Sequence, residues 1–394
     1  MSGLNKISEL NGLRGFAILI VLVYHFVNIS VQLNGPIINA VNNFFLMGWV
    51  GVDIFFALSG FLITSILLKT KSSETYFKSF YIKRLLRIFP LYYLYLAFMF
   101  FFFLPHFAPH LNPAEQLNIK TTENSQLYFW LYLSNIKQFF QNIFFGSALG
   151  HLWSLSIEEQ FYLIWPLIIY YCDYNQLKRI LLAVFVGSII LRAFFYYHNV
   201  PGLSIYSFTF TRLDALGYGA YISVSLQKPI RIKPESVKLI LKVLLILTAL
   251  LFIFFGPWPN STPVMLIIGF SLIGLTNAFL ILTLQSHQPS KIKLFFNNNL
   301  LKFLGKYSYA LYLFNPLVRQ ICFKFFLSPF MVWGSYFVWY FLFIMLCLLI
   351  SIVVSIISWH AYEKWFMKIK SRYEEQQLEQ LPINADGNLI SNSF

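Results

Sequence analysis

Residues 44–68 read FFLMGWVGVDIFFALSGFLITSILL. The stretch is 25 residues long, and its only charged residue is Asp53. An α-helix needs about 20 apolar residues to cross the hydrocarbon core of a bilayer. We therefore predict a membrane-spanning helix here, and the ionisable group inside it needs an explanation of its own.

The rest of the chain has the same apolar character. Apolar residues make up 58% of 394, charged residues make up 11%, and the mean hydropathy is +0.65. A soluble domain is about 25% charged and could not hide this much apolar surface, so a water-soluble fold is excluded. The net charge of +14 would suggest nucleic acid in a soluble protein. Here the basic residues lie between apolar runs, which makes them topology signals, and we expect no nucleic-acid partner.

Hydropathy and length predict an all-α, polytopic membrane domain over residues 1–373. The ten predicted spans are 13–31, 44–68, 90–104, 154–171, 180–197, 211–226, 237–256, 264–284, 307–327 and 332–359. An eleventh apolar run, 127–145, is rejected because a span there would place most Lys and Arg residues outside, against the positive-inside rule. We predict that this run lies at the outer interface, that both termini are cytoplasmic, and that residues 374–394 form a disordered tail.

Several ionisable side chains fall in or at the ends of these apolar helices. They are His25, Asp53, His151, Glu158, Glu159, Arg192, Arg212, Asp214, Arg319 and Lys324. Each costs about 2.5–3.5 kcal/mol on insertion scales, so such a group normally faces a partner or a wet cavity. Structural pairing between helices explains any one of them as well as function does, but the group as a whole predicts a functional site.

His25 and Asp53 are predicted to lie at similar depth in the outer half of the bilayer. His25 is about 18 Å from the inner face and Asp53 about 13 Å from the outer face, at 1.5 Å per residue in a core of about 30 Å. A carboxylate fixes the tautomer of an imidazole and raises its basicity. We predict His25 as a general base with Asp53 as its partner, the alternative being a structural histidine.

A second candidate site lies at the predicted inner face. Arg84 and Arg87 are three residues apart and share one helical face. Two guanidiniums on one face form a fork that suits phosphate. The alternative is a positive-inside anchor that contacts the headgroups of membrane lipids.

Several blocks of the sequence resemble the acyltransferase-3 family of integral membrane acyltransferases. Arg14 is followed by His25 after ten residues in the first block. The others are GVDIFFALSGF at 51–61, RLLRIFP at 84–90, HLWSLSIEEQFYLIWP at 151–166, RLD at 212–214, and GKYSYALYL at 305–313, which precedes Asn315 and Pro316. The family often has His at the position of Asn315. The blocks occur in order from about residue 8 to residue 365.

The resemblance implies transfer of an acyl group, usually acetyl, from cytoplasmic acetyl-CoA to a carbohydrate hydroxyl at the outer face of the bacterial inner membrane. The expected acceptor is lipopolysaccharide O-antigen or another exported polysaccharide, including a lipid-linked form. Arg14, Arg84 and Arg87 are expected to bind the CoA phosphates. The residues expected to hold the sugar or the outer vestibule are His151, Glu158, Glu159, Arg212 and Asp214.

The resemblance also implies a chain without the periplasmic hydrolase-like domain that many longer members carry. A thioester is already activated, so no metal is expected. Two other functions stay open from the sequence: a transporter or flippase for lipid-linked sugars, which would use the same intramembrane charges, and a non-catalytic membrane scaffold.

Overall fold

The computed structural model describes residues 8–27, 42–107, 113–228, 233–258, 262–286, 288–327 and 336–379. Every regular element in these ranges is helical, which confirms the predicted all-α fold. The α-helices are α1 Ser8–Val27, α2 Val50–Thr70, α3 Tyr76–Phe98, α4 Leu104–Phe107, α5 Pro113–Glu123, α6 Gln126–Trp130, α7 Ser134–Gln141, α8 Trp153–Tyr171, α9 Tyr174–Tyr197, α10 Gly202–Ser207, α11 Leu213–Ser225, α12 Pro234–Phe255, α13 Phe270–Gln285, α14 Lys291–Phe296, α15 Asn299–Lys306, α16 Ser308–Cys322, α17 Tyr336–Ser358 and α18 Lys364–Glu379.

Seven helical segments in the described ranges are long and apolar enough to cross a bilayer. They are Ser8–Val27, Asn42–Thr70, Tyr76–His106, Tyr174–Tyr197, Pro234–Phe255, Met265–Gln285 and Val338–Glu375, and each overlaps a predicted span. The other three predicted spans are also helical, as α8, α11 and α16. α8 carries two glutamates, and α11 and α16 have only 13 and 15 residues. The protein is thus a multi-pass membrane protein, and the count of ten spans stays a prediction.

Two predicted boundaries, those of the third span and of the tail, differ from the structure, whereas the run rejected as an eleventh span is indeed not one helix. The third span was predicted to begin at Pro90, but α3 begins at Tyr76 and runs through this proline, because membrane helices tolerate an interior proline. The run 127–145 is broken into α6 and α7, so it does not cross the bilayer as one helix. The predicted disordered tail begins inside α18, which continues to Glu379 and includes a Lys370–Glu374 ion pair at 3.9 Å. Residues 28–31, 332–335 and 380–394 of these predictions lie outside the described residues.

The centre of the bundle is formed by α2 and α11, which pack more extensively than any other described pair. A Cβ atom added to Gly60 would lie 1.8 Å from the Leu216 carbonyl oxygen, and one added to Gly219 would lie 1.9 Å from that of Ala57. The two backbones are therefore in direct contact, as small residues permit in membrane bundles. This packing fixes the helix that carries Asp53 against the start of α11.

Candidate functional site: an arginine cluster linked to a histidine pair

Three arginines form what we call the arginine cluster: Arg14 on α1, with Arg84 and Arg87 on α3. Arg14 interacts electrostatically with Arg84, and Arg87 interacts with both. All three side chains are partly exposed, and none donates a hydrogen bond to another described residue. Three repelling guanidiniums with free donors form a site for an anion that carries several oxygens, such as a phosphate group.

Glu158 lies beside this cluster and not near the outer face, where the sequence placed it. Its carboxylate accepts hydrogen bonds from the Ser59 hydroxyl at 2.8 Å and from the Tyr162 hydroxyl at 3.1 Å. It interacts electrostatically with Arg14 and Arg84, and Glu159 also interacts with Arg84. α8 carries Glu158 seven residues beyond His151, which is about 10 Å of helix and separates it from that expected neighbour.

A cavity opens beside Arg87, between α3, α15, α16 and the start of α18. Its lining includes Arg87, Lys306, Tyr309, Trp359 and Glu363. Lys306 lies 5.3 Å from the centre of the Trp359 ring. The cavity therefore offers positive charge and aromatic surface next to the arginine cluster.

The second part of the site contains two histidines, His25 on α1 and His151 in the short 3₁₀ helix Ser147–Leu152. Their ring centres are 6.4 Å apart. His25 Nδ1 is hydrogen-bonded to Asn315 Oδ1, and within the described residues its Nε2 makes no hydrogen bond. The His25 side chain is only partly buried, so Nε2 is open to a ligand.

His151 is 8% exposed, and neither of its ring nitrogens has a hydrogen-bond partner among the described residues. The carbonyls of Tyr312 and Leu313 lie near the ring but outside hydrogen-bond geometry. The backbone of His151 is held firmly, because its carbonyl oxygen accepts from the Tyr312 hydroxyl at 3.1 Å and from the Ser154 hydroxyl at 3.2 Å. An orphaned, buried imidazole next to His25 is therefore available to a bound group.

The predicted hydrogen bond between His25 and Asp53 is absent. Asp53 Oδ1 accepts from Arg212 Nη2 at 2.6 Å, and both side chains are completely buried. The Arg212 guanidinium also lies 4.2 Å from the centre of the Phe270 ring. Gly51, two residues before Asp53, packs against Ala17 and Val21, so Asp53 lies beside the middle of α1 and not beside His25 near its end.

Asp214 is likewise in a closed ion pair. Its Oδ2 accepts from Arg192 Nη1 at 2.8 Å and from the Ser271 hydroxyl at 2.6 Å, with both charged side chains fully buried. Arg212 and Asp214 were expected to hold a sugar. Because both are buried and charge-paired, the geometry favours ties between α2, α9, α11 and α13 instead.

One helix face connects the two parts of the site. Arg14 and His25 are 11 residues apart, which is about three turns, so they share one face of α1 about 16 Å apart. On α8, Ser154, Glu158 and Tyr162 follow at four-residue spacing and run from the histidine pair to the arginine cluster. Polar groups of α8 thus lie between the arginine cluster and the histidine pair.

Sequence reasoning missed Ser59, Tyr312 and Asn315 as site residues. The available signal was Asn315 directly before a proline inside an apolar helix, since a helix proline leaves a carbonyl that a neighbouring side chain must satisfy.

Within the described ranges, no group of three or more His, Cys, Asp or Glu side chains is arranged to hold a metal ion.

Comparison with known proteins identifies the family of this chain. A family model described as "Acyltransferase domain" matches residues 7–356. A peptidoglycan O-acetyltransferase of Listeria monocytogenes is 27% identical over 326 residues, which cover 79% of this chain and 49% of that protein. An O-acetyltransferase of Staphylococcus aureus is 30% identical over 329 residues, which cover 78% of this chain and 50% of that protein. The chain thus spans about half the length of these relatives, and no solved structure matches it. Because the match covers most of its length and the ordered blocks agree with it, the chain belongs to the acyltransferase-3 family.

Proposed function

We propose that the protein transfers an acyl group, in the first instance acetyl, from acyl-CoA on the cytoplasmic side to a hydroxyl of a cell-surface carbohydrate on the outer side of the bacterial inner (plasma) membrane. The observation that carries this proposal is the shared face of α1, with Arg14 at one end and His25 about 16 Å away. In CoA, an extended pantetheine arm separates the phosphates from the thioester. Cations at one end of this helix face and a base at the other match that donor.

The arginine cluster is the proposed phosphate site. Its free guanidinium donors can bind phosphate oxygens in pairs, and bound phosphate would offset the repulsion among the three cations. The Glu158 carboxylate, fixed by Ser59 and Tyr162, orients the neighbouring arginines electrostatically. Lys306 and Trp359, beside Arg87, add a further cation and an aromatic ring to the edge of this phosphate site.

The proposed reaction takes place at the histidine pair. His25 Nε2 accepts the proton of the acceptor hydroxyl as its oxygen attacks the thioester carbonyl carbon. The C–S bond then breaks, and the proton on His25 passes to the departing sulfur, which yields the ester and free CoA thiol. The unpartnered ring of His151 contacts the reacting groups from the other side of the gap.

The proposed acceptor class is cell-surface polysaccharide. One relative is named as a peptidoglycan O-acetyltransferase, which makes peptidoglycan fragments the first acceptor to test. Lipopolysaccharide O-antigen and lipid-linked precursors, expected from the sequence blocks, remain predictions for the same assay. All of these acceptors present sugar hydroxyls, which is what a histidine base requires.

The test uses detergent-purified protein, acetyl-CoA and glycan acceptors, with thiol release and mass spectrometry of the glycan as readouts. We expect the parent to acetylate an acceptor and His25→Ala to lose transfer by about 10²–10⁴-fold. The control is His198→Ala, because His198 is exposed at the end of α9 and should be dispensable. Absence of transfer in the parent, with movement of a lipid-linked sugar across vesicles, would replace the proposal with the flippase function.

A further inference from the structure

Asn315 and Pro316 lie together inside α16. Proline has no backbone N–H, so the Tyr312 carbonyl, four residues earlier, has no helical donor. Asn315 Nδ2 donates to that carbonyl at 2.7 Å and to the Leu311 carbonyl at 3.1 Å. In a membrane interior such a carbonyl needs a hydrogen-bond donor within the protein, and the Asn315 amide supplies it.

These two hydrogen bonds fix the orientation of the Asn315 side-chain amide. Since both contacts of Nδ2 are with carbonyl oxygens, the nitrogen and oxygen of the Asn315 side chain cannot exchange places without losing them. The oxygen therefore faces His25 Nδ1, and Asn315 is completely buried in that position. An amide oxygen only accepts hydrogen bonds, so Nδ1 must carry the proton, and in a neutral imidazole Nε2 then keeps its lone pair.

We propose that Asn315 is the positioning residue that holds His25 in its Nδ1–H tautomer. The inference rests on the proposed function, in which His25 Nε2 accepts the proton of the attacking hydroxyl and returns it to the sulfur. A fixed tautomer keeps the same nitrogen facing the reacting groups through both proton transfers. Asn315 thus takes the role that the sequence analysis predicts for Asp53.

The other groups near His25 do not fix its tautomer. Tyr24 and His151 approach as rings, at 5.3 and 6.4 Å between ring centres, and Arg319 Nη1 donates to the His25 backbone carbonyl at 3.3 Å. Tyr312 directs its hydroxyl to the His151 carbonyl. The Asn315 contact is the one hydrogen bond to the His25 ring within the described residues.

The main experiment separates positioning from folding. Asn315→Leu removes the His25 contact but also orphans the Tyr312 carbonyl, and this variant alone may fail to fold. Pro316→Ala restores a backbone N–H for that carbonyl. The double variant Asn315→Leu/Pro316→Ala therefore lacks only the contact to His25, and Pro316→Ala alone is its matched control.

We expect Pro316→Ala to transfer acetyl within a few-fold of the parent. The double variant should unfold at the same detergent concentration as this control and keep its KM for acetyl-CoA, but lose about 10²–10⁴-fold in kcat, as expected when a base is held in the wrong tautomer. Transfer by the double variant at the rate of its control would overturn the inference. Absence of transfer in the parent would instead refute the proposed function.

A second measurement uses Asn315→Asp in the Pro316→Ala background. A carboxylate still accepts from Nδ1 but also stabilises the imidazolium, so His25 should hold its proton to higher pH. We expect the acidic limb of the pH–rate profile to move to higher pH, with more activity retained than in the leucine variant. An unmoved limb would show that residue 315 does not act on His25.

Discussion

The role of Asp53 gives the sharpest test of the structure against the sequence. As the partner of His25, Asp53 would matter for catalysis and little for folding. As the partner of Arg212, it neutralises a guanidinium that is completely buried and makes a 2.6 Å contact to it. Arg212 Nε and Nη1 have no other partner among the described residues, so nothing there would compensate for the loss of Asp53.

The magnitude follows from that burial. Removing one member of a buried ion pair typically costs about 3–5 kcal/mol, whereas replacing both by apolar groups is often neutral. We therefore expect Asp53→Leu to lower the free energy of unfolding by about 3–5 kcal/mol. The double variant Asp53→Leu/Arg212→Met should recover most of this loss, since methionine can occupy the ring-lined site next to Phe270.

The assay measures unfolding in mixed detergent micelles alongside acetyl transfer per mole of folded protein. A stable double variant that transfers acetyl within about tenfold of the parent would confirm the interhelical tie. An Asp53→Leu variant that is as stable as the parent but inactive would refute it, because only a catalytic role for Asp53 leaves folding intact and removes activity.

Three further predictions concern the donor site, the second histidine and the helix packing. Arg84→Lys and Arg87→Lys keep their charge but lose the planar fork, so acetyl-CoA affinity should fall about 10- to 150-fold in calorimetric titration; unchanged affinity in both would end the phosphate-site assignment. His151→Phe removes an unsatisfied buried ring, so the protein should gain up to about 1–3 kcal/mol in stability and yet lose transfer; full activity would show that His151 contacts no substrate. Gly219→Ala should cost about 1–3 kcal/mol in an unfolding titration because its Cβ would lie 1.9 Å from a carbonyl oxygen, whereas Gly187→Ala, with nothing within 4 Å, should be neutral or stabilising; equal effects would contradict the backbone contact.

Much of this organisation could be predicted from the sequence because it depends on local patterns. Apolar runs set the spans, as for residues 44–68, most of which lie in α2. Helical spacing placed Arg84 and Arg87 on one face, and it also placed Arg14 and His25 on one face of α1. These properties need no knowledge of which helices touch.

Partner choice could not be predicted in the same way. Asp53 pairs with Arg212, 159 residues away, and His25 with Asn315, 290 residues away. Depth counted from the predicted ends of the spans allowed an Asp53–His25 pair, but Gly51 packs against Ala17 of α1, and the α2–α11 contact brings Asp53 to Arg212. Glu158 was misplaced for a related reason, because its distance from the outer face depended on where α8 begins.

The Asp53–Arg212 pair also has a consequence for how the chain is made. At about 5–20 residues per second, the 159 residues between the two take roughly 8–30 s to synthesise. During that interval α2 leaves the ribosome and enters the bilayer with its acid but without the counter-ion. The strongly apolar residues on both sides of Asp53 favour insertion of α2 into the lipid. They outweigh the cost of inserting the unpaired acid, which is about 2.5–3.5 kcal/mol. Arrival of α11 then removes this cost, so late docking, not insertion of α2, completes the centre of the bundle.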